Sequence, residues 1–316
     1  MINTLTKPTF LADVYKDHPS FSHGTRMVLG TSGLGGVWGP VDENESVDLI
    51  LYALENDILS MDTAPSYNRA EEFLGKALKQ WKGEKPFIST KIGRLFAEKA
   101  DEFHLDYSRE TMLKSMETSL ERIGVDAVDV LFLHEPHLLP YDQKDDILET
   151  LSLIKEKGYA KKIGVGGNPV PEFYPFFESG LFEVVSGFMK MDACNMSAFE
   201  KDIPYFQKND IRYYAASALH MGLLGSRFER LCEERPNNEW ISNRDVDVAI
   251  KVKAIADQYG VDLACMSLRY LMSTIEADRI VIGARKTEQI KTTVDYWKQG
   301  GLSEEIFNKI TDCIFN

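Results

Sequence analysis

The chain is poor in the features that mark several protein classes, and each shortage excludes something. It carries four cysteines in 316 residues. Cys194, Cys232, Cys265 and Cys313 are widely spaced, with no CxxC and no histidine at zinc-partner spacing, so neither a disulfide framework nor a metal site is expected. No run of about 18 apolar residues occurs, so nothing is expected to span a membrane. The opening MINTLTKPTFLADVYKDHPS lacks a continuous apolar stretch after Lys7 and does not read as a signal peptide. Basic residues are outnumbered, 36 Lys and Arg against 49 Asp and Glu, leaving a net charge of −13. That charge is spread along the chain, whereas nucleic acid or an anionic membrane demands a basic face. The expectation is a cytoplasmic globular protein that binds neither.

What is present is a regular alternation. Eight short apolar runs stand at 26–31, 57–62, 86–91, 128–134, 161–166, 183–189, 211–217 and 279–284. Most are continuously apolar, as parallel strands covered on both faces are. Amphipathic stretches separate them. In 43–56, Val47, Ile50, Leu51 and Leu54 share a helical face; in 108–124, Met112, Met116, Leu120 and Ile123 do so between Ser108, an N-cap, and Gly124, a stop. Further helices are expected at 69–80, 144–157, 171–179, 199–208, 245–259, 262–274 and 286–297.

Eight strands each followed by helix predict a (β/α)8 TIM barrel with extra helices and a long loop between strands seven and eight. A doubly wound sheet is disfavoured: the glycines of GTSGLGGVWG (30–39) depart from GxGxxG spacing and no helix follows them directly. The first part of the long connection, GSRFERLCEERPNNEWISNRD, is polar and irregular and reads as a lid candidate. No Pro/Gly/Ser linker divides the chain. It reads as a single domain, 1–316, with an N-terminal extension (about 1–22) and a C-terminal helix (about 302–315). That helix carries Ile306, Phe307, Ile310 and Ile314 on one face, and either caps the barrel or meets a second subunit.

Barrel active sites lie at the C-terminal ends of the strands. The polar residues at those exits are Asp62 with Tyr67 in its loop, Lys91, His134, Asn168, Ser217 and Arg285. An acid, a phenol, an amine and an imidazole suit proton transfer to an alcohol or carbonyl oxygen. An ammonium beside a phenol pulls its proton affinity towards neutral pH; Asp62 would hold Lys91, and His134 would bond the reacting oxygen. Each residue has an ordinary alternative too. A strand-end Asp often caps a helix, a loop Tyr packs, a lone Lys is solvated, and a lone His is structural. Their joint occurrence at successive strand exits is what favours chemistry.

The motifs DTAPSY…AEEFLG, STKIG, VDVLFLHEP and VIGARKTEQI, over about residues 24–297, resemble the aldo-keto reductase superfamily. The resemblance implies a catalytic tetrad of Asp62, Tyr67, Lys91 and His134, with Tyr67 as general acid/base, and a nicotinamide dinucleotide across the barrel mouth. It implies cofactor contacts at Asn168, Ser217, Leu219, Gly283, Arg285, Lys286 and Gln289. Arg285, with Lys286, would bind a 2′-phosphate and Gln289 the adenine, favouring NADP(H) with NAD(H) possible. No metal is implied. The stretches 105–136 and 215–225 look most like the branch that oxidises free aldoses at C1 to lactones. Trp38, Phe96 and Trp240 are pocket candidates.

The chain departs from the family pattern in places. Asn68 stands where relatives usually have Gly after the tyrosine; Asn tolerates the left-handed conformation next best. Gly166-Gly167 replaces the usual Ser-Asn pair, with Asn168 one place later. In AEEFLG, Glu71 is expected in the first turn of a helix, where a negative charge is favoured. Two other functions compete with an aldose dehydrogenase or carbonyl reductase. One is a nucleotide-binding regulatory subunit with little turnover, which an intact tetrad disfavours. The other is a hydrolase using Asp62 and Glu135, disfavoured because strand alternation would send His134 and Glu135 to opposite sides.

Overall fold

The computed structural model describes residues 6–15, 26–97, 102 and 104–316. Of the N-terminal extension read from the sequence, 1–5 and 16–22 lie outside the described residues. All eight expected strands form. They are β1 (Met27–Gly30), β2 (Ser60–Asp62), β3 (Phe87–Ile92), β6 (Val128–His134), β7 (Ala160–Gly166), β8 (Phe182–Phe188), β9 (Arg212–Ala216) and β10 (Arg279–Gly283), numbered to leave room for a small hairpin of β4 (Arg94–Leu95) and β5 (His104–Leu105). They close into a barrel in the order β1-β10-β9-β8-β7-β6-β3-β2. This is the (β/α)8 architecture. The hairpin was not legible, because two-residue strands carry no periodicity.

The helices are α1 (Glu43–Glu55), α2 (Ala70–Gln80), α3 (Arg109–Ile123), α4 (Lys144–Glu156), α5 (Tyr174–Phe177), α6 (Asp202–Lys208), α7 (Phe228–Glu234), α8 (Asn243–Gln258), α9 (Leu263–Met272), α10 (Thr287–Lys298) and α11 (Glu304–Phe315). The expected caps are used. Ser108 accepts from the Thr111 amide, and Gly124 ends α3 at φ 77°, its amide donating to Leu120 O. The stretch read as irregular contains the helix α7. That helix buries Leu231 alone, too little apolar signal to be seen in a polar sequence.

By its contacts the chain groups into two compact units. The first is Ser22–Gly187 with Ile282–Lys291. It contains β1–β7, nearly all of β8 and α1–α5. Leu29 pairs with Met61, Asp62 with Ser89, Lys91 with Phe132 and His134 with Gly166. Glycines permit its tightest approaches. A Cβ on Gly75 of α2 would lie 2.1 Å from Arg122 O at the end of α3, and one on Gly35 would lie 1.8 Å from Tyr67 O.

The second unit is Met1–Phe21, Phe188–Val281 and Thr292–Asn316. Its core is α8, α9 and α11. Phe307 of α11 stacks on Tyr270 of α9 with ring centroids 4.9 Å apart, and the Tyr270 hydroxyl lies 2.9 Å from Thr311 Oγ1. The apolar face of α11 is therefore buried within the chain: Phe307, Ile310 and Ile314 are all covered. No helix among the described residues is long and apolar enough to cross a membrane.

Candidate active site

β2 ends at Asp62, β3 carries Lys91 one residue from its end, and β6 ends at His134. All three are 5% exposed. Burial so complete requires partners, and they are close. Lys91 Nζ lies 2.5 Å from Asp62 Oδ2 and donates to Thr63 O at 2.8 Å. The other Asp62 oxygen accepts from Ser89 Oγ at 2.7 Å, so the carboxylate is held from both sides. The Asp62 carbonyl accepts from the Thr31 amide and hydroxyl, which ties β2 to the start of the loop after β1.

A 3-10 turn, Pro65–Tyr67, follows β2 and swings Tyr67 back over this pair. Proline opens it, and Asn68 closes it at φ 55° and ψ −113°, a positive-φ conformation outside the αL region that Asn was expected to take. Gly35 backs against the Tyr67 carbonyl, and its own carbonyl accepts from the Arg69 amide. Lys91 Nζ stands 4.8 Å from the centre of the Tyr67 ring, and the Tyr67 and His134 rings meet edge to face at 6.2 Å. His134 is pinned through its backbone, since the Tyr107 hydroxyl donates to His134 O at 2.8 Å. Gly93 leaves room for that tyrosine: a Cβ there would fall 2.1 Å from the Tyr107 ring.

The electrostatics follow from burial. Burial raises the Tyr67 phenol above its ordinary value by more than the Lys91 ammonium lowers it. An ammonium beside a phenol is expected to lower its proton affinity; in this cavity desolvation outweighs that effect. Burial pulls the other way on Lys91, but attraction to Asp62 and Tyr67 outweighs it and keeps the ammonium charged. His134 is held far below its usual range, by burial first and then by Lys91, Arg94 and His137. It is a neutral imidazole, and its Nδ1 is buried with no hydrogen-bond partner among the described residues.

Glu71 stands in the first turn of α2, as expected, and has a further role. It is fully buried, accepts from Thr90 Oγ1 at 2.7 Å and faces Arg122 at 3.5 Å, linking α2 to β3 and α3. Glu135 is the residue that sequence reasoning misplaced. Strand geometry stops at His134, and Glu135 is left-handed (φ 56°, ψ 66°). The alternation rule therefore does not reach it. Its carboxylate turns back to lie 3.8 Å from His134 Nε2 and 2.5 Å from Arg94 Nη1. No pattern along the chain signals a non-glycine residue at positive φ.

Asn168 is half-buried just past β7, where a Cβ on the preceding Gly167 would come within 2.6 Å of Pro136 Cδ. Gly166 gives room in the same way, since a Cβ there would touch Phe132, Lys91 and His134. The Gly-Gly pair is thus explained by close packing of β7 against β3 and β6. Gly283 ends β10 with open space around it, and Arg285 and Lys286 are exposed ahead of α10. The side chain of Gln289 is already engaged: its Oε1 accepts from the Arg285 and Lys286 amides at 2.7 and 3.1 Å. Trp38 and Phe96 are 57% and 40% exposed. In the second unit, Ser217 is exposed at φ 59° with its carbonyl accepting from the His220 amide, and Leu219 is half-buried. Trp240 stacks on Phe188 at 5.8 Å.

A model of the aldo/keto reductase family matches residues 26–314. The chain belongs to that family. Aldo-keto reductases use NAD(P)H, and this chain is an NAD(P)-dependent oxidoreductase of that type. It is 28% identical over 316 residues to D-arabinose 1-dehydrogenase of Saccharomyces cerevisiae, covering 94% of this chain and 87% of the relative. It is 28% identical over 275 residues to L-galactose dehydrogenase of Arabidopsis thaliana, covering 84% and 82%. Among solved structures, glycerol dehydrogenase from Gluconobacter oxydans superposes with a TM-score of 0.77 at 22% identity, over 96% of both chains. That last likeness concerns the fold.

The first unit fits the dinucleotide such enzymes use. Two exposed cations, Arg285 and Lys286, precede α10, suited to a phosphate group. The glycine-lined loop after β1 approaches the same place: a Cβ on Gly33 would fall 2.7 Å from Ala284 O, and one on Gly39 would lie 3.8 Å from Arg285 Nη2. Among the described residues the buried Thr63 and Ser66 hydroxyls have no hydrogen-bond partner; Thr63 precedes the tyrosine turn and Ser66 lies within it.

Proposed function

We propose that this aldo-keto reductase oxidises a free aldose at C1 to its lactone, with Tyr67 as general acid/base and Asp62, Lys91 and His134 as its supporting groups. The observation that carries the reading is the run of neighbours Asp62–Lys91–Tyr67–His134, three buried charged or basic groups gathered round one half-buried phenol. The likeness to two sugar dehydrogenases supports the choice of substrate.

The residues divide the work by their charge states. A bound nicotinamide supplies the hydride acceptor for oxidation, or the donor for the reverse. His134, neutral, donates a hydrogen bond to the reacting oxygen and adds no charge of its own. Tyr67 exchanges the proton with that oxygen, taking it as phenolate during oxidation and giving it as phenol during reduction. Lys91 stabilises the phenolate, and Asp62 keeps Lys91 protonated and aimed. Arg285 and Lys286 would hold the cofactor's 2′-phosphate, which favours NADP(H). Asn168 is the candidate for the nicotinamide amide. Ser217, Leu219, Gly283 and Gln289 complete the proposed cofactor contacts, with Gln289 required to release its hold on the Arg285 and Lys286 amides if its Oε1 is to reach a base. Trp38, Phe96 and Trp240 stay as proposed substrate contacts.

A second reading is reduction of simple aldehydes and ketones. It is favoured by the raised Tyr67 phenol, which is protonated and ready to donate at neutral pH.

The test is to follow reduced nicotinamide with NAD⁺ and NADP⁺ across free aldoses including L-fucose, L-galactose and D-arabinose, beside Tyr67→Phe. Sugar-dependent reduction lost in the variant supports the reading. Turnover of simple aldehydes with NADPH and none of any sugar selects the second. Cofactor binding with no turnover in either direction refutes both.

A further inference from the structure

Glu135 and Arg94 form an ion pair beside the proposed reacting groups, and nothing in the tetrad accounts for it. The pair is partly buried, with side-chain exposures of 13% and 21%. Arg94 is placed by the β4–β5 hairpin, where it pairs with Leu105 immediately after Gly93. β4 lies against the 3-10 turn that carries Tyr67. Glu135 is placed by its left-handed backbone. A non-glycine residue pays conformational strain there, which is tolerated where surrounding structure or function demands it.

The pair therefore lies between the tyrosine turn and the end of β6. Its electrostatic reach includes the Tyr67 phenol, on which Glu135 exerts a raising influence. The other groups facing the carboxylate are His134 Nε2 at 3.8 Å and His137 Nδ1 at 3.6 Å.

The 3.8 Å between Glu135 Oε1 and His134 Nε2 is too long for a direct hydrogen bond. One group is a neutral donor and the other an acceptor with no proton of its own. Two oxygens on neighbouring carbons complete that arrangement, one accepting from His134 Nε2–H and the other donating its proton to Glu135. A carbonyl or hydroxyl at the reacting carbon supplies the first oxygen, and a hydroxyl on the adjacent carbon supplies the second. A plain aldehyde has nothing to offer Glu135, and a 2-keto acid would set a carboxylate against it.

We propose that Glu135, held by Arg94, is a specificity-determining residue that reads the hydroxyl next to the reacting carbon, so that the site selects aldoses and other 2-hydroxy carbonyl compounds. The inference rests on the function proposed above and names the substrate class of that same site. Ionised hydrogen-bond partners give strong discrimination, because an analogue lacking the hydroxyl displaces water from a partly buried carboxylate and returns no donor to it beyond Arg94.

The experiment compares kcat/KM of the full chain for glycolaldehyde against acetaldehyde, and for an aldose against its 2-deoxy counterpart. It uses the unmodified protein, Glu135→Gln and Glu135→Asp. The expected result is a preference of about ten- to a hundred-fold for the 2-hydroxy member of each pair. Glu135→Gln removes most of that preference, chiefly through KM, and Glu135→Asp retains part of it. Equal losses on both members of a pair, or a preference that survives Glu135→Gln, would overturn the inference and leave the proposed oxidoreductase chemistry standing. Failure of the unmodified protein to turn over any aldose or aldehyde would overturn both.

Discussion

Two buried clusters in this molecule use nearly the same residues to opposite ends. In the first unit, Asp62, Lys91, Tyr67 and His134 meet at strand ends. In the second, Asp192, Cys194, His220 and Asp245 meet in the loops after β8 and β9 and in the first turn of α8. The His220 ring is 1% exposed, with Nδ1 2.7 Å from Asp192 Oδ2 and Nε2 3.7 Å from Asp245 Oδ2. The remaining Asp192 oxygen accepts from the Cys194 and Asn195 amides and from the Cys194 thiol. Asp245 closes the α8 capping box with Ser242 and accepts from Asn195 Nδ2.

The difference lies in the neighbours. Burial and repulsion from Lys91, Arg94 and His137 keep His134 neutral even with the Glu135 carboxylate 3.8 Å from Nε2. Burial acts on His220 too, but two carboxylates outweigh it and hold its proton well above the usual range. Burial would raise the Asp245 carboxyl; its bonds to His220 and Ser242 bring it down to about 2. Burial and Asp192 push the Cys194 thiol well up, which leaves it a poor nucleophile. The first cluster keeps unspent hydrogen-bonding capacity around a phenol. In the second, Asp192 is fully committed to protein donors. The sequence reading of no metal site rested on chain spacing, and the fold brings Asp192, Cys194 and His220 ligand atoms within 4.8 Å of one another. The His220–Asp192 ion pair accounts for that arrangement, with His220 Nε2 left buried and without a hydrogen-bond partner among the described residues.

The contrast is sharpest in variants that should separate turnover from stability. Tyr67→Phe should lower kcat by about 10²–10⁴-fold, the usual worth of a general acid/base, with little change in the unfolding midpoint. His220→Ala should do the reverse. It strands two buried carboxylates and should cost about 3–5 kcal/mol of unfolding free energy, measured by urea titration, while the folded fraction keeps its activity. Equal effects of both variants on both readouts would erase the distinction.

The pH dependence should also split. His134 has a lowered affinity for its proton in the fold, so its contribution to stability is present above the unfolded value of about 6.5 and is lost as pH falls below it. His220 has a raised affinity. Its contribution is full below about 6.5 and declines as pH rises towards its folded value. Relative to the unmodified protein, His134→Gln should therefore gain stability on acidification, and His220→Gln should regain ground on alkalinisation. Thermal midpoints between pH 5 and pH 9, a window of about two units on either side of that value, check both signs. Within the first cluster, Tyr67 is raised above its ordinary value of about 10. Sugar oxidation should climb with pH across that window, and carbonyl reduction should stay level.

The smallest effect expected concerns packing beneath the site. Thr90→Val removes the hydroxyl that satisfies fully buried Glu71, and should cost about 1–3 kcal/mol. A smaller loss would mean that Arg122 suffices.

Much of this was legible along the chain because it depends on local pattern. The eight strands are short apolar runs, and burial on both faces needs nothing more than that. Ser108 and Gly124 act where their chemistry predicts. Asp62, Lys91 and His134 could be picked out because a parallel barrel places successive strand ends together. What stayed hidden depends on groups remote in sequence or on backbone conformation. Glu135 was judged by the alternation of a strand that had already ended. The apolar face of α11 was equally suited to a second subunit, until Tyr270 was found against it.

The sequence by itself determined the barrel through its periodicity, the family through its motifs, and the placing of Asp62, Lys91 and His134 at strand ends with Tyr67 in the loop after the first, because all of these are carried by local pattern. Tertiary structure alone decided which buried histidine is neutral and which is charged. Proton affinity is set by what lies within a few ångströms, and no spacing along the chain records that distance.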